Sequence, residues 1–217
     1  MEDPSSPAPL ATPEPPATAC PPANPDPRAT LRRQLAGVLV WVALALVLRW
    51  VAIEPRWIPS GSMLPSLQLQ DRVLVEKLRA RLNRPLPVGT VVVFHPPPAL
   101  LDAGYDPNAA LIKRVVAEAG DQVEVRDGVL WRNGAPAPLD WSAEPMGYAL
   151  EPLTVPPAHL LVLGDNRNAS LDSHIWGPLP RQAVIGTAVL RYWPLQRFGW
   201  LRFSAIAHPP GVPGKVG

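Results

Sequence analysis

A short serine-rich segment, 58–67, contains the first side chains that could act as a nucleophile, with Ser60 and Ser62 on either side of Gly61. Glycine frees the backbone and the nearby prolines restrict it, so this loop can present a hydroxyl and a backbone N–H to one point. Serine in a Pro- and Gly-rich loop is more often a simple turn residue. The segment alone therefore does not establish catalysis.

Lys113 lies in an apolar run, 111–117, whose alternation is typical of a β-strand and places Lys113 on an apolar face. The chain has 20 Lys and Arg residues, and the lysines among them are Lys77, Lys113 and Lys215. Because arginine serves almost everywhere else, a lysine here indicates a need for lysine itself. A buried ammonium can lose its proton and act as a base, whereas a guanidinium cannot. The alternative is an edge-strand lysine that reaches solvent.

A polar segment, 164–174, follows the apolar run 160–163 and is rich in Asp, Asn and Ser, which is typical of a loop that supports a site. Ser62 could pair with Asp172 and His174 in a catalytic triad, or with Lys113 in a Ser–Lys dyad. Asp172 and His174 are two residues apart, so in an extended chain they share a face without either pointing at Ser62. The dyad is therefore favoured.

These side chains must be positioned by a β domain, because beyond residue 54 short apolar runs alternate with turn residues. Asp127-Gly128 and Asn133-Gly134 are typical of tight hairpins. We predict a mainly β fold, an antiparallel domain of β-barrel or sandwich-like type, preceded by one transmembrane helix. The predicted strands are 72–75, 90–94, 112–116, 122–126, 129–132, 160–163 and 183–192.

The segment 35–53 is apolar or Gly throughout except for Arg49. Its length approaches the ~20 residues that cross a bilayer, and Arg49 lies near one end, where a long side chain reaches the headgroups. A cleaved signal peptide and a buried core helix are the alternatives, but a long polar stretch precedes the run and the run has no polar face. We predict a single transmembrane helix, and the arginines before it favour a cytoplasmic N-terminus.

The predicted domain boundaries follow from this pattern. The chain begins with a disordered, Pro-rich cytoplasmic tail at 1–34, followed by the transmembrane helix at 35–53. A catalytic domain is expected at 54–200 and a C-terminal tail at 201–217.

Composition excludes several classes of protein. The 217 residues are 47% hydrophobic, which is enough for a core, and the 31 prolines disfavour an all-helical bundle. The net charge is +2 and the arginines are scattered, so no basic stripe for nucleic acid is present. With Cys20 as the single cysteine and no closely spaced histidine pair, we expect neither a metal nor another cofactor.

Three segments, in order, resemble the motifs of the type I signal peptidases, the membrane-bound serine proteases that remove signal peptides from exported proteins. The resemblance covers about residues 54–199, and the end of the third motif, 172–177, is most similar to the cyanobacterial and thylakoid-processing branch. The motifs are Ser62-Met63-x-Pro65, Lys113-Arg114 followed by Gly120-Asp121, and Gly164-Asp165-Asn166-Arg167 with Ser170-x-Asp172-Ser173.

The resemblance implies a largely β catalytic domain outside the cytoplasm, with Ser62 as nucleophile and Lys113 as general base. It implies that Ser170 orients Lys113, with Asp172 as a supporting residue. It also implies an oxyanion hole formed by the Ser60 hydroxyl and the Ser62 backbone N–H.

The expected substrate follows the same family pattern, in which small residues occupy the first and third positions before the cleaved bond. We expect the substrate to add as a β-strand to an exposed edge, with Met63 and Ile112 contributing to shallow pockets. The expected partners are signal peptides of exported preproteins and the lipid bilayer of a plasma or thylakoid membrane, and no nucleic acid.

The sequence also departs from the family pattern. Ser66 replaces the usual Thr, Asn168-Ala169 replaces a more typical Asp-Asn pair, and His174 replaces the Arg of many relatives. Gln70 stands where glycine is expected, and glutamine adopts a positive φ less readily. None of these changes removes a catalytic group.

We therefore expect a membrane-anchored serine endopeptidase that removes signal peptides with a Ser–Lys dyad. One alternative is a self-cleaving Ser–Lys regulatory peptidase, which a DNA-binding helix-turn-helix motif would favour. The other is a catalytically inactive, membrane-anchored β module that only binds partners. The presence of both Ser62 and Lys113 argues against the inactive module.

Overall fold

The computed structural model describes residues 27–137 and 144–201. These residues fall into two units, one ending at Ala43 and one beginning at Leu44. Most of the predicted N-terminal tail, and the C-terminal tail from residue 202, lie outside the described residues.

The first element is a long helix, α1 (Pro27–Ala52), which starts eight residues before the predicted span. Proline is favoured at the first helical position, and the Arg, Leu and Gln residues that follow are good helix formers. The described helix and the predicted tail at 1–34 therefore overlap at residues 27–34. Among the described residues, none of the helices combines the length and the apolarity required to cross a membrane.

The rest of the described chain is mainly β, as predicted. All seven predicted strands are present, with ends that differ by two residues or fewer. The strands are β1 (Ile53–Trp57), β2 (Arg72–Glu76), β3 (Val91–Phe94), β4 (Leu111–Ala117), β5 (Gln122–Arg126), β6 (Val129–Arg132), β7 (Ala135–Pro136), β8 (Leu150–Thr154), β9 (His159–Leu163), β10 (Leu179–Pro180), β11 (Val184–Trp193) and β12 (Gly199–Trp200). Short helices are α2 (Leu78–Arg81), α3 (Pro98–Asp102) and α4 (Ser173–Trp176).

The strands form two antiparallel sheets. The larger has eight strands in the order β1-β2-β11-β3-β4-β9-β10, with β12 paired to β11. The smaller has four strands in the order β7-β6-β5-β8. The strand β4 lies inside the larger sheet, between β3 and β9, so its backbone is hydrogen-bonded on both sides.

The two predicted hairpins are confirmed. Asp127 and Gly128 join β5 to β6 with φ values of 53° and 74°, and Asn133 and Gly134 join β6 to β7 with φ values of 53° and 77°. Two consecutive positive φ angles match the right-handed twist of the flanking strands, and Asn, Asp and Gly adopt them at least cost.

The sequence patterns missed β1 and β8, each of which contains a proline. Proline has no backbone N–H and weakens a strand signal, but an edge strand tolerates it because one side needs no ladder. Both strands lie at the edge of their sheet. The position of these strands in the sheet therefore overrides their local sequence.

Candidate active site

Ser62 lies in a single 3₁₀ turn, Gly61–Met63, and is 9% exposed. Its hydroxyl oxygen accepts a hydrogen bond of 2.7 Å from the Nζ of Lys113. The Ser60 hydroxyl lies 3.3 Å from the Ser62 hydroxyl, and the Ser60 side chain is exposed. The serine loop therefore places one hydroxyl against the lysine and a second one next to it at the surface.

The loop that carries Ser62 is held at its base by a tight turn. Two backbone hydrogen bonds of 2.9 Å join the start of the loop to the turn at its end. The Ile58 N–H donates to Asp71 O, and the Gln70 N–H donates to Ile58 O. Gln70 has a φ of 65°. The turn therefore keeps the left-handed conformation that glycine favours, and glutamine bears the steric cost.

Lys113 lies on β4 opposite Val92 of β3 and is only 5% exposed. Its strand is internal to the sheet, so the alternative of an edge-strand lysine is wrong. All residues of β4 after Leu111 are buried, on both faces of the strand. Burial lowers the pKa of Lys113 to about 8, against an opposing effect of the Asp172 and Asp165 carboxylates.

The next residue, Arg114, points to a separate cluster. Its guanidinium binds Asp165 through two hydrogen bonds of 2.8 and 2.6 Å and donates a third, of 2.8 Å, to Gly89 O. Asp165 is buried. This bidentate pair fixes the start of the polar loop 164–174 to the middle of the sheet.

Gly164 brings that loop against the serine. A Cβ at Gly164 would collide with Ser170 Oγ and lie 2.5 Å from the Ser62 carbonyl oxygen, so only glycine fits. The Asn166 N–H donates a hydrogen bond of 3.1 Å to the same Ser62 oxygen. The loop is thus packed directly onto the backbone of Ser62.

Asp172 is fully buried and uses both carboxylate oxygens. One accepts a hydrogen bond of 2.8 Å from the Gly164 N–H, and the other lies 2.7 Å from the Nδ1 of His174. The described hydrogen bonds therefore join Ser62 to Lys113 and His174 to Asp172. This arrangement favours the dyad over the triad.

Ser170 is buried close to Gly164, and its hydroxyl has no hydrogen-bond partner among the described residues. Its predicted role in orienting Lys113 stays a prediction. Among residues 27–137 and 144–201, no cluster of three or more His, Cys, Asp or Glu side chains could hold a metal ion.

The two predicted pocket residues lie in the hydrophobic core. Met63 is 0% exposed and Ile112 is 7% exposed, and both pack in one cluster with Ile58 and Leu67. The 3₁₀ turn directs Met63 inward, so this side chain has no surface for direct contact with a substrate. The expectation that Met63 lines an open pocket needs this correction.

Comparison with known proteins decides the family. The family described as "Signal peptidase, peptidase S26" matches residues 31–193. The chain belongs to this family. The resemblance stated from the three motifs is thereby confirmed.

Several curated members of the signal peptidase family are similar to the chain. A probable signal peptidase I-1 from Synechocystis sp. is 45% identical over 79% of this chain and 87% of its own length. Signal peptidase I of Leptolyngbya laminosa is 46% identical over 74% of this chain and 78% of its own length. Thylakoidal processing peptidase 1 of Arabidopsis thaliana is 47% identical over 70% of this chain, but the match covers only 46% of the plant protein.

A crystal structure of a signal peptidase I from Enterococcus faecalis V583 is 26% identical, with a TM-score of 0.39. The match covers 48% of this chain and 97% of that one.

Sequence reasoning missed several contacts of this signal peptidase site. No local pattern indicates the stack of Tyr148 on His174, whose ring centres are 3.9 Å apart. Arg114 and Asp165 both belong to the motifs found in the sequence. They are 51 residues apart, however, and their contact depends on the order of the strands in the sheet. A search for buried Arg–Asp pairs needs the tertiary structure.

Proposed function

We propose that this chain is a serine endopeptidase that removes N-terminal signal peptides from exported preproteins. The observation that carries the proposal is the hydrogen bond of 2.7 Å between Lys113 Nζ and Ser62 Oγ inside a buried site. Membership of the signal peptidase family supports the same reaction.

In the proposed mechanism, Ser62 is the nucleophile and neutral Lys113 is the general base. As Ser62 Oγ attacks the scissile carbonyl carbon, its proton passes to Lys113 Nζ, and the resulting ammonium then protonates the leaving amine. The acyl group stays on Ser62. Lys113, neutral again, takes a proton from water, which attacks the ester carbon. The bond from that carbon to Ser62 Oγ then breaks, Lys113 returns the proton to Ser62 Oγ, and the signal peptide leaves as the carboxylic acid.

The proposed oxyanion hole uses the Ser62 backbone N–H and the Ser60 hydroxyl. Its support is the position of Ser60 directly before the 3₁₀ turn, with its hydroxyl 3.3 Å from that of Ser62. A donor close to the developing negative charge stabilises the tetrahedral intermediate. Ser170 and Asp172 are proposed as supporting residues because both pack against Gly164, which touches Ser62.

We propose that the substrate binds in extended form at a strand edge, with small side chains at the first and third positions before the cleaved bond. Backbone hydrogen bonds supply affinity in this binding mode, and pockets for alternate side chains supply specificity. Ile112 is a proposed wall of one pocket because it is slightly exposed, next to Lys113 on β4. Met63 supports that wall from the core.

A membrane-anchored arrangement is also proposed, in which the apolar segment 35–53 crosses the bilayer once. The N-terminus would then be cytoplasmic and the domain at 54–200 would lie on the other side, at a plasma or thylakoid membrane. In support, the successive side chains of Val38, Leu39, Val40, Trp41 and Val42 are all exposed, so the apolar surface surrounds α1.

The function is tested with the purified full chain and a preprotein carrying alanine at the first and third positions before the expected cut. Mass spectrometry of the products should show one cleavage at that site. Replacing the alanine at the first position with phenylalanine should abolish cleavage, and the enzyme variant Ser62→Ala should be inactive. A wild-type chain that binds the preprotein and leaves it intact would indicate the inactive binding module instead.

The membrane arrangement is tested in sealed vesicles whose cytoplasmic face points outward. Added protease should remove the N-terminal tail and leave the catalytic domain intact, and alkaline carbonate should not extract the chain. Digestion of the catalytic domain in intact vesicles would overturn the proposed orientation.

A further inference from the structure

A short segment, residues 144–148, precedes β8 and contacts both the smaller sheet and the polar loop 164–174. The segment rests on the hairpin of the smaller sheet, because the Met146 N–H donates a hydrogen bond of 3.0 Å to Gly128 O. Met146 itself is buried in the hydrophobic cluster that includes Val123 and Leu130. One side of the segment is thus fixed to the smaller sheet.

The other side of the segment contacts the polar loop 164–174. Asn168 forms three hydrogen bonds to it. Asn168 Oδ1 accepts from the Gly147 N–H at 2.7 Å, and Asn168 Nδ2 donates to Pro145 O at 2.9 Å and to Glu144 Oε2 at 3.4 Å. A few residues on, the ring of Tyr148 stacks on that of His174, with an interplanar angle of 13°. Separate contacts therefore hold the middle of the loop, at Asn168, and its C-terminal end, at His174.

From His174 the contacts continue to the nucleophile. His174 Nδ1 bonds the buried Asp172, which accepts from the Gly164 N–H, and Gly164 lies against the carbonyl oxygen of Ser62. Each link is short and buried or half-buried, so a displacement of the His174 ring would pass through Asp172 to the backbone of Ser62.

We propose that Tyr148, Asn168 and His174 are positioning residues, and that the smaller sheet acts on the reaction by using segment 144–148 to hold the loop 164–174 against Ser62 and Lys113. The inference rests on the proposed function. None of the three side chains is proposed to touch the substrate or the reacting atoms.

The physical basis is the sensitivity of the dyad to geometry. Proton transfer between Ser62 and Lys113 requires hydrogen-bond distance, and a misplacement of about 1 Å can reduce a rate by as much as 10²-fold. Tyr148 suits a purely steric role, because its buried hydroxyl has no partner among the described residues. Burial, and secondarily the Asp172 carboxylate, raise the pKa of Tyr148 to about 12, so the ring stays neutral.

The test compares paired variants of the full chain. Tyr148→Leu removes the stack and Tyr148→Phe keeps it, while Asn168→Ala removes the side-chain hydrogen bonds from the loop to segment 144–148. His174→Phe keeps the stack and removes the bond to Asp172. We expect Tyr148→Leu, Asn168→Ala and His174→Phe each to lower kcat by about tenfold or more with KM changed by less than about twofold, and we expect the conservative Tyr148→Phe to retain kcat.

The control is Arg126→Ala, at the smaller sheet's surface, where Arg126 lies 3.9 Å from the ring centre of Trp131. This change perturbs the same sheet without touching segment 144–148, and kcat should stay within about twofold of wild type. All rates are normalised to the folded fraction. If Tyr148→Leu and Asn168→Ala retain kcat after normalisation, or if Tyr148→Phe loses as much as Tyr148→Leu, the positioning role is refuted.

A second measurement needs no substrate. Hydrogen exchange of the Gly164 amide, which donates to Asp172, should accelerate by about tenfold or more in the three disruptive variants and remain unchanged in Arg126→Ala. Unchanged Gly164 exchange in all variants would refute the positioning role. A wild-type chain that cleaves no preprotein would refute the proposed function and leave this exchange test valid.

Discussion

Lys113 and Arg114 are neighbours on β4, equally buried at 5% exposure, yet they lie in two different environments. On one face, Arg114 has the Asp165 carboxylate in bidentate contact and a backbone carbonyl in addition. On the other face, Lys113 contacts the neutral hydroxyl of Ser62, and the ion pairs between described residues include none with Lys113. Two cations in one strand thus experience the same burial and opposite degrees of pairing.

The difference shows what separates a structural cation from a base. A buried charge that is fully paired keeps its proton and fixes the structure around it. A buried ammonium whose nearest partner is neutral pays desolvation without full compensation, and burial lowers the pKa of Lys113 to about 8. The lysine can then exchange a proton with serine near neutral pH.

The largest expected effect on activity comes from placing an arginine on both faces of β4. Lys113→Arg keeps the positive charge but removes a group that can deprotonate, so we expect kcat/KM to fall by a factor on the order of 10³ or more. Ser62→Ala should lose as much, and the double variant should lose no more than either alone. Activity above about a tenth of wild type in Lys113→Arg would contradict the dyad.

Arg114→Met removes the ion pair between Arg114 and Asp165 and leaves the buried Asp165 carboxylate without its cation. Removing one partner of a buried ion pair typically costs about 3–5 kcal/mol of unfolding free energy. Urea denaturation at pH 7 measures this loss. Asp165→Asn in the Arg114→Met background should recover part of it, and a stability loss below about 1 kcal/mol would show that the pair contributes little.

Removing the amine of Lys113 should instead increase the free energy of unfolding. The fall in the pKa of Lys113 from 10.5 to about 8 means that the folded state disfavours the protonated lysine. At about 1.4 kcal/mol per pKa unit, less about 1 kcal/mol for the lost hydrogen bond, Lys113→Met should stabilise the inactive protein by about 2–3 kcal/mol at pH 7.

The pH dependence of that gain provides the check. Below pH 8 the penalty on wild type is fully present. It declines as pH rises from about 8 towards 10.5, the pKa of an ordinary lysine, because the unfolded state then loses the same proton. The stability curves of wild type and Lys113→Met should therefore converge at alkaline pH, and parallel curves would contradict a depressed pKa.

The last comparison changes no residue and uses the pH profile of wild-type activity. Because the neutral form of Lys113 is the base, log(kcat/KM) should rise by about one unit per pH unit below the midpoint and level off above about pH 8. The profile is measured with a peptide substrate that does not titrate in this range. Activity independent of pH between 6 and 8 would exclude Lys113 as the titrating base.

Much of this fold could be predicted from local sequence. Short apolar runs separated by turn residues predicted the main strands, and Asp127-Gly128 and Asn133-Gly134 predicted the hairpins β5–β6 and β6–β7, because both signals depend only on neighbouring residues. The strands β1 and β8 were missed because their prolines weaken the local signal, and only the sheet order places them at edges. The helix start at Pro27 was missed because a Pro-rich tail obscured it.

The sequence by itself determined which chemical groups the site contains, because residue identity decides which group can ionise. These groups are the hydroxyl of Ser62 and the amine of Lys113, in a chain that otherwise uses mostly arginine. Only the tertiary structure decided their environments. The burial of β4 on both faces, the inward turn of Met63 and the grip of segment 144–148 on the loop 164–174 all depend on contacts between residues far apart in the chain. The pKa of a lysine and the distance to its serine are set by such contacts, which no local pattern encodes.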